Sequence, residues 1–166
     1  MADFRFDVVS EFDKAEMNNV FDQSQREINT RYDFKSANIT LEWLDGDKTG
    51  IKIIAENQYQ LDAIVDIFRK KLSLRGQSLK VLDTEINTPN ESNFKITWEL
   101  PFKKGLNQDN AKQVTSLIRD SFPKVKTQIQ GDSVRVTSAK KDDLQQVMTL
   151  LRTKDFDFPL SFNNFR

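Results

Sequence analysis

The sequence predicts an α+β protein of two tandem ferredoxin-like βαββαβ domains, each with an antiparallel sheet covered on one face by two helices. Segments with an apolar residue at every second position are interleaved with segments whose apolar residues recur every three or four positions. The order strand, helix, strand, strand, helix, strand then occurs twice. Residues 87–93, rich in Asn, Thr, Pro and Ser, separate the two occurrences, so we predict domains at 1–88 and 93–166.

The first half begins with a strand over residues 4–10, in which Phe4, Phe6 and Val8 alternate with polar residues. Asp13, with Glu16 three positions later, has the spacing of a helix N-cap and its capping-box partner. The helix that follows has the apolar stripe Met17, Val20, Phe21, Ser24 and Ile28, and we expect it to end near Arg31.

Two alternating strands come next, around Leu41 and around Ile53, with Gly and Asp residues at 45–50 between them. Asp45, Asp47, Gly50 and Glu56 have the spacing of a calcium-binding loop, but strands rather than helices flank this stretch, so we interpret it as a hairpin turn. Asn57 then caps a helix that stops at Gly76, and Leu79 with Val81 predicts a fourth strand. The basic residues near the end of this helix have the charge to contact phosphates, but they also complement the helix dipole, which is the interpretation we favour; they are Arg69, Lys70, Lys71 and Arg75.

The second half repeats the order. Apolar residues alternate over 94–102, and a helical stripe runs from Ala111 to Ser121. Gln130, Gly131 and Asp132 form the turn of a second hairpin, and a last helix and strand follow at 144–151 and 160–162.

Composition restricts the chemistry. The chain has no His and no Cys, which removes the commonest general base, the thiolate nucleophile and the commonest transition-metal ligands. Its five Gly residues do not form a phosphate-binding loop. We therefore expect a binding protein without a metal or cofactor, with carboxylate-based hydrolysis as the remaining enzymatic alternative. The sequence also has no apolar run of membrane-spanning length and does not begin like a signal peptide, so we expect a cytoplasmic protein with no membrane partner.

Two clusters have the chemistry of a phosphate and base site. The 31–35 cluster joins a planar cation, two aromatic rings, an acid and a base: Arg31, Tyr32, Asp33, Phe34 and Lys35. The alternative is structural, with Phe34 in the core and Arg31 paired to Asp33. The 130–141 cluster surrounds a hairpin and a helix start, where backbone amides favour anions; it comprises Gln130, Arg135, Lys140 and Lys141. Here the alternative is a capped helix and an ordinary strand arginine.

These clusters, with the opening Phe6–Glu11, the closing Pro159–Arg166 and the run Asp142–Gln145, resemble the YajQ family of small bacterial proteins over essentially the whole chain. The resemblance implies that the two domains exchange their first strands, so that strand 4–10 completes the second sheet and strand 94–102 the first. The family also usually has a Gly and an Arg where this chain has Ser138–Lys141. Without them the loop loses a flexible backbone approach and a bidentate phosphate contact, which weakens or alters anion binding there.

The resemblance further implies nucleotide binding without established catalysis, linked to gene regulation, with purine nucleotides or cyclic di-guanosine monophosphate (cyclic di-GMP) as candidate ligands. Our leading hypothesis is a regulatory module in which Arg31, Lys35, Arg135, Lys140 and Lys141 contact phosphate, while Phe34 or Tyr32 stacks on a base. The alternative is a module for RNA or a regulatory protein, with no small ligand. It would dock partners through exposed sheet edges or the Phe-rich tail, residues 156–165.

Overall fold

The computed structural model describes residues 3–166, so Met1 and Ala2 of the predicted first domain lie outside the described residues. Within that range the helices are α1 Lys14–Thr30, α2 Gln58–Leu74, α3 Gln108–Ser121 and α4 Lys141–Thr153. The strands are β1 Phe4–Val9, β2 Thr40–Trp43, β3 Gly50–Ala55, β4 Asn90–Ser92, β5 Lys95–Pro101, β6 Lys126–Gln130, β7 Ser133–Ser138 and β8 Ser161–Asn163. They form two four-stranded antiparallel sheets, which confirms the predicted fold class.

The two sheets have equivalent strand orders, β6-β7-β1-β8 and β2-β3-β5-β4. The opening strand β1 lies between β7 and β8 of the second half, and β5 lies between β3 and β4 of the first. This pairing is the strand exchange that the family resemblance implies. The chain accordingly forms two compact units. One is Phe12–Lys103, and the other joins the residues up to Glu11 to Lys104–Arg166.

The unit Phe12–Lys103 has its core between its sheet and the helices α1 and α2. All five residues of the stripe predicted for α1 are buried, and the Asp13 carboxylate caps that helix by accepting from the amides of Ala15 and Glu16. The Asn57 side chain caps α2 through the Gln60 amide. Periodicity therefore located the buried face of α1, and the capping residues predicted for both helices are confirmed.

The other unit packs α3 and α4 on the sheet that contains β1. Phe6 and Val8 of β1 are fully buried in this core, together with Val134 and Val136 of the neighbouring strand β7. The C-terminal residues extend the pairing, because the backbones of Arg5 and Arg166 exchange two hydrogen bonds of 3.0 Å. The inner strand β1 of this sheet thus comes from the opposite end of the sequence to the strands with which it pairs.

One predicted element is wrong. Leu79–Val81 is a short 3-10 turn rather than a strand, because Val81 and the next residue, Leu82, are both buried while Leu79 is half-exposed, and consecutive buried residues do not fit a pleated strand. The fourth strand is instead β4, within the segment expected to be a linker. Asn93 and Phe94 join β4 to β5 in a two-residue turn, and both have positive φ, 54° and 63°.

Candidate functional site

The 31–35 cluster lies directly after α1. Arg31 donates from Nε to Asp33 Oδ1 at 2.8 Å, and its guanidinium carbon lies 4.7 Å from the centre of the Phe34 ring. Phe34 is 5% exposed and belongs to the core of the unit Phe12–Lys103. These contacts are those of the structural alternative, in which a local ion pair fixes the helix exit.

The buried ring of Phe34 has no face available for a ligand base. Tyr32, by contrast, is 88% exposed, and Lys35 is also exposed. Of the two aromatic residues in this cluster, Tyr32 is therefore the one that a ligand can reach. The Arg31 side chain is 33% exposed, so part of it is accessible to solvent.

Arg31 also lines a groove between the end of α1 and residues 59–70 of α2. This α1–α2 groove has a volume of about 530 Å³, and its walls are Glu27, Arg31, Tyr59, Asp62, Ala63, Asp66, Ile67 and Lys70. Such a volume lies within the usual range for small-molecule sites. The groove combines an apolar floor, an exposed tyrosine, two cations and three carboxylates.

The charged groups in the groove differ in whether they already form an ion pair or a hydrogen bond with another side chain. Glu27 is paired with Lys71 at 3.1 Å, and Asp62 accepts from the Gln58 side chain at 2.7 Å. Tyr59 is 67% exposed, and Lys70 and Asp66 are exposed on α2. A cation, a carboxylate and an aromatic face are thus directed to solvent within one concave surface.

The 130–141 cluster belongs to the other unit. Arg135 on β7 donates from Nε to Asp7 Oδ1 at 3.0 Å, and Asn164 donates to Asp7 Oδ2 at 2.8 Å. Asp7 is 5% exposed. Burial acts to raise its pKa, but the hydrogen bonds from Arg135 and Asn164 and the charges of Arg135 and Arg5 outweigh it, so the pKa of Asp7 lies below its ordinary value. Arg135 is therefore bound to an internal carboxylate.

The start of α4 holds the lysines of this cluster. The Ser138 hydroxyl accepts from the Lys140 amide at 3.2 Å and donates to Asp143 Oδ2 at 3.1 Å, while the N-cap residue Lys140 makes no side-chain cap hydrogen bond. Lys140 and Lys141 are exposed, and Gln130 is half-buried at the hairpin turn. These lysines remain available to an anion, whereas Arg135 does not without breaking its ion pair.

The structure thus divides the nine predicted site residues between two units and brings only Arg31 into the groove. Sequence reasoning missed Tyr59, Asp62 and Asp66, and for Lys70 it favoured a role at the helix dipole over contact with phosphate. The available signal was their spacing of three, four and four positions along α2, which places them on one face of a helix. Their neighbours Lys71 and Arg75 do form ion pairs, with Glu27 and Glu16.

The Phe-rich tail is mostly internal. Phe156 and Phe158 are buried and Phe162 packs against the same core, so Phe165 is the exposed ring of the four. Over residues 3–166, no group of three or more carboxylates is placed to hold a metal ion. None of the helices in that range is long and apolar enough to cross a bilayer.

Comparison with known proteins gives full-length matches. A family model described as nucleotide-binding protein YajQ-like matches residues 4–166. A nucleotide-binding protein of Trichodesmium erythraeum (strain IMS101) is 44% identical over 97% of this chain and 96% of its own length. Nucleotide-binding proteins of Nocardioides sp. (strain ATCC BAA-499 / JS614) and Mycobacterium tuberculosis (strain ATCC 25177 / H37Ra) are 43% and 42% identical, each over 100% of both chains.

Proposed function

Because this chain belongs to the family of YajQ-like nucleotide-binding proteins, we propose that it binds a nucleotide in the α1–α2 groove. The observation that carries the choice of site is the composition of the groove walls. Tyr59 offers an exposed aromatic face for a base, and Arg31 and Lys70 offer cations for phosphate. Of the two predicted clusters, the 31–35 cluster contributes a residue to these walls.

The carboxylates of the groove favour guanine over adenine. Asp62 and Asp66 accept hydrogen bonds and, as carboxylates, donate none. Guanine presents an amino group and a ring N–H side by side, whereas the corresponding edge of adenine has an acceptor nitrogen. We therefore propose a guanine nucleotide, cyclic di-GMP included, as the ligand.

The composition of the chain and of the groove favours nucleotide binding without catalytic turnover. The chain has no His or Cys to serve as general base or nucleophile. The groove contains cations and acceptors of the kind that recognise a nucleotide. We propose a cytoplasmic regulatory role, in which the bound nucleotide is a signal rather than a substrate.

Calorimetric titration with GTP, GDP, cyclic di-GMP, ATP and a short single-stranded RNA tests this function. We expect a guanine nucleotide to bind, and Lys70→Glu to weaken its binding at least about tenfold through loss of a charge-assisted contact. Lys14→Glu is the matched control, because Lys14 is an exposed lysine of α1 that does not line the groove.

A second matched pair uses the two exposed tyrosines. Tyr59→Ala should weaken binding, whereas Tyr32→Ala, outside the groove walls, should leave it unchanged. If charge reversal of Arg135 and Lys141 weakens binding and the Tyr59 and Lys70 variants do not, the site lies in the 130–141 cluster instead. If no nucleotide binds near 1 mM, the proposal of a small ligand fails.

An interaction module for a protein or RNA is the second candidate function, and Phe94 is the observation that favours it. This ring is fully exposed at the tip of the β4–β5 hairpin, on a backbone of positive φ that a bulky side chain rarely adopts. Phe94→Gly would keep the turn and remove the ring. Loss of protein or RNA binding in that variant, in a chain that binds no nucleotide, would favour this alternative.

A further inference from the structure

The four edge strands of the two sheets differ in how they are protected. In the order β6-β7-β1-β8 the edges are β6 and β8, and in the order β2-β3-β5-β4 they are β2 and β4. An edge strand has N–H and C=O groups with no strand beside them, and proteins usually block such an edge against pairing with another chain.

Three of these edges have a blocking feature. The Leu41 carbonyl of β2 accepts from the Gln25 side chain at 2.7 Å, so a side chain already uses that edge. β4 and β8 are each three residues long, too short for a stable ladder. The middle residue of β4 is Glu91, which would face its own copy in a symmetric antiparallel pair.

β6 has none of these features. It is five residues long, Lys126–Gln130, and pairs in register with β7 over its whole length. It contains no Pro and no Gly, and its one charge is at its first residue. Gln128 is exposed and Ile129 is 44% exposed, so the strand is accessible from solvent. A regular, nearly uncharged edge of this length is suited to β-pairing.

We propose that β6 pairs antiparallel with β6 of a second copy, with Gln128 opposite Gln128 on the two-fold axis. In that register Thr127 faces Ile129 of the second copy, and Lys126 faces Gln130. No like charges meet, two β-branched residues are paired, and the exposed surface of Ile129 is covered. The two four-stranded sheets become one of eight strands.

The symmetry of this contact limits it to a dimer. Both copies use the same edge strand, so the pairing leaves neither β6 edge free to bind a third copy. β6 belongs to the unit that does not contain the α1–α2 groove, so we expect the dimer to form without nucleotide.

Sedimentation velocity on the full chain tests the proposal. With rising concentration, up to roughly 1 mM, the mass should increase from 19.3 kDa towards twice that value. Gln128→Glu and Gln128→Lys each place like charges opposite each other, and each should raise the dimer dissociation constant at least about tenfold. An equimolar mixture of the two variants should regain the wild-type affinity, because opposite charges then meet on the axis.

The mixture distinguishes this register from loss of folding, since two misfolded variants would not restore each other. Circular dichroism and thermal melting of each variant check the fold directly. Glu91→Lys, on the edge strand β4, is the control and should leave the dimer unchanged. A wild-type mass that stays at 19.3 kDa overturns the proposal. So does a dimer that is insensitive to both Gln128 variants, or one that responds to Glu91→Lys.

Discussion

In the Asp7–Arg135 pair, the arginine side chain stabilises the fold and is therefore less available to bind a ligand. Arg135 has the guanidinium fork that suits phosphate, but two of its nitrogens face the Asp7 carboxylate, at 3.0 and 3.5 Å. Asp7 is in turn held by Asn164 near the end of the chain. The pair therefore links β1, β7 and the C-terminal residues, and an incoming phosphate would have to compete with a buried carboxylate.

This geometry predicts an acid-dependent contribution of Asp7 to stability. The folded-state pKa of Asp7 is below its unfolded value, so its contribution is complete above the unfolded pKa and is lost as the pH falls through the folded pKa. We expect Asp7→Ala to lower the free energy of unfolding by about 2 kcal/mol at pH 7, because the half-buried Arg135 loses its partner.

Urea unfolding of wild type and variant from pH 7 to pH 2 measures this contribution, and the difference between them should shrink at the acid end. Asp120→Ala, an exposed acid on α3 of the same unit, is the control. A difference that stays constant over the whole pH range would contradict the assigned role of the carboxylate.

Ion pairs show which contacts of single residues can be predicted from the sequence and which cannot. Arg31 and Asp33 are two positions apart, so their ion pair could be foreseen from the sequence as one of two alternatives. Asp7 and Arg135 are 128 positions apart, and they meet only because β1 inserts into the second sheet. No local pattern contains that information, which is why Arg135 stayed a phosphate-binding candidate before its partner was known.

Gly50 fixes the approach of β3 to β5. A Cβ built at this position would lie 2.6 Å from the Leu100 carbonyl oxygen and 2.6 Å from the Pro101 Cα, and both are backbone atoms of the paired strand. Because a backbone cannot move aside as a flexible side chain can, we expect Gly50→Ala to destabilise the protein by about 2 kcal/mol or more. Gly46, in the preceding turn, has no atom within 4 Å of its Cβ position.

Gly46→Ala is accordingly the control and should change stability by less than about 0.5 kcal/mol. Urea midpoints of the two variants, at an unchanged denaturant slope, give the comparison. Equal effects of the two substitutions would mean that the β3–β5 distance is not what Gly50 determines.

Helices were easier to predict than edge strands for a physical reason. The stripe of α1 was predicted residue by residue, because a helix on a sheet must bury one face and the spacing of its apolar residues marks that face. β4 buries nothing, since all three of its residues are exposed and its pairing with β5 is through the backbone. A strand without a buried face leaves no apolar alternation, so the segment was interpreted as a linker.

Because of the strand exchange, one unit is formed by a continuous stretch of sequence and the other by two separate stretches. Phe12–Lys103 is one continuous segment that contains both helices and all four strands of its own sheet. The other unit is discontinuous, because its central strand β1 is separated from the rest by that whole segment. The candidate groove lies in the continuous unit, and the β6 edge lies in the discontinuous one.

Isolated fragments of the two units should therefore differ in whether they fold. We expect residues 12–103 to fold alone and melt cooperatively, because their core is complete. Residues 104–166 should stay unfolded, since they lack Phe6 and Val8, which are fully buried in their core, and the strand on which β7 and β8 both pair. Adding a peptide of residues 1–11, or fusing it ahead of residue 104 through a flexible linker, should restore a cooperative transition.

Cutting the chain at the sequence-predicted boundary gives the matched comparison. Fragment 1–88 lacks β4 and β5, and fragment 93–166 lacks β1 while retaining a β5 that has no sheet of its own. We expect neither to melt cooperatively by circular dichroism when alone, although a mixture of the two can reassemble both sheets except for the edge strand β4, which neither fragment contains. If fragments 1–88 and 93–166 each fold as well as 12–103, the sheets can form without exchanging strands, and the predicted boundary would be a genuine domain boundary.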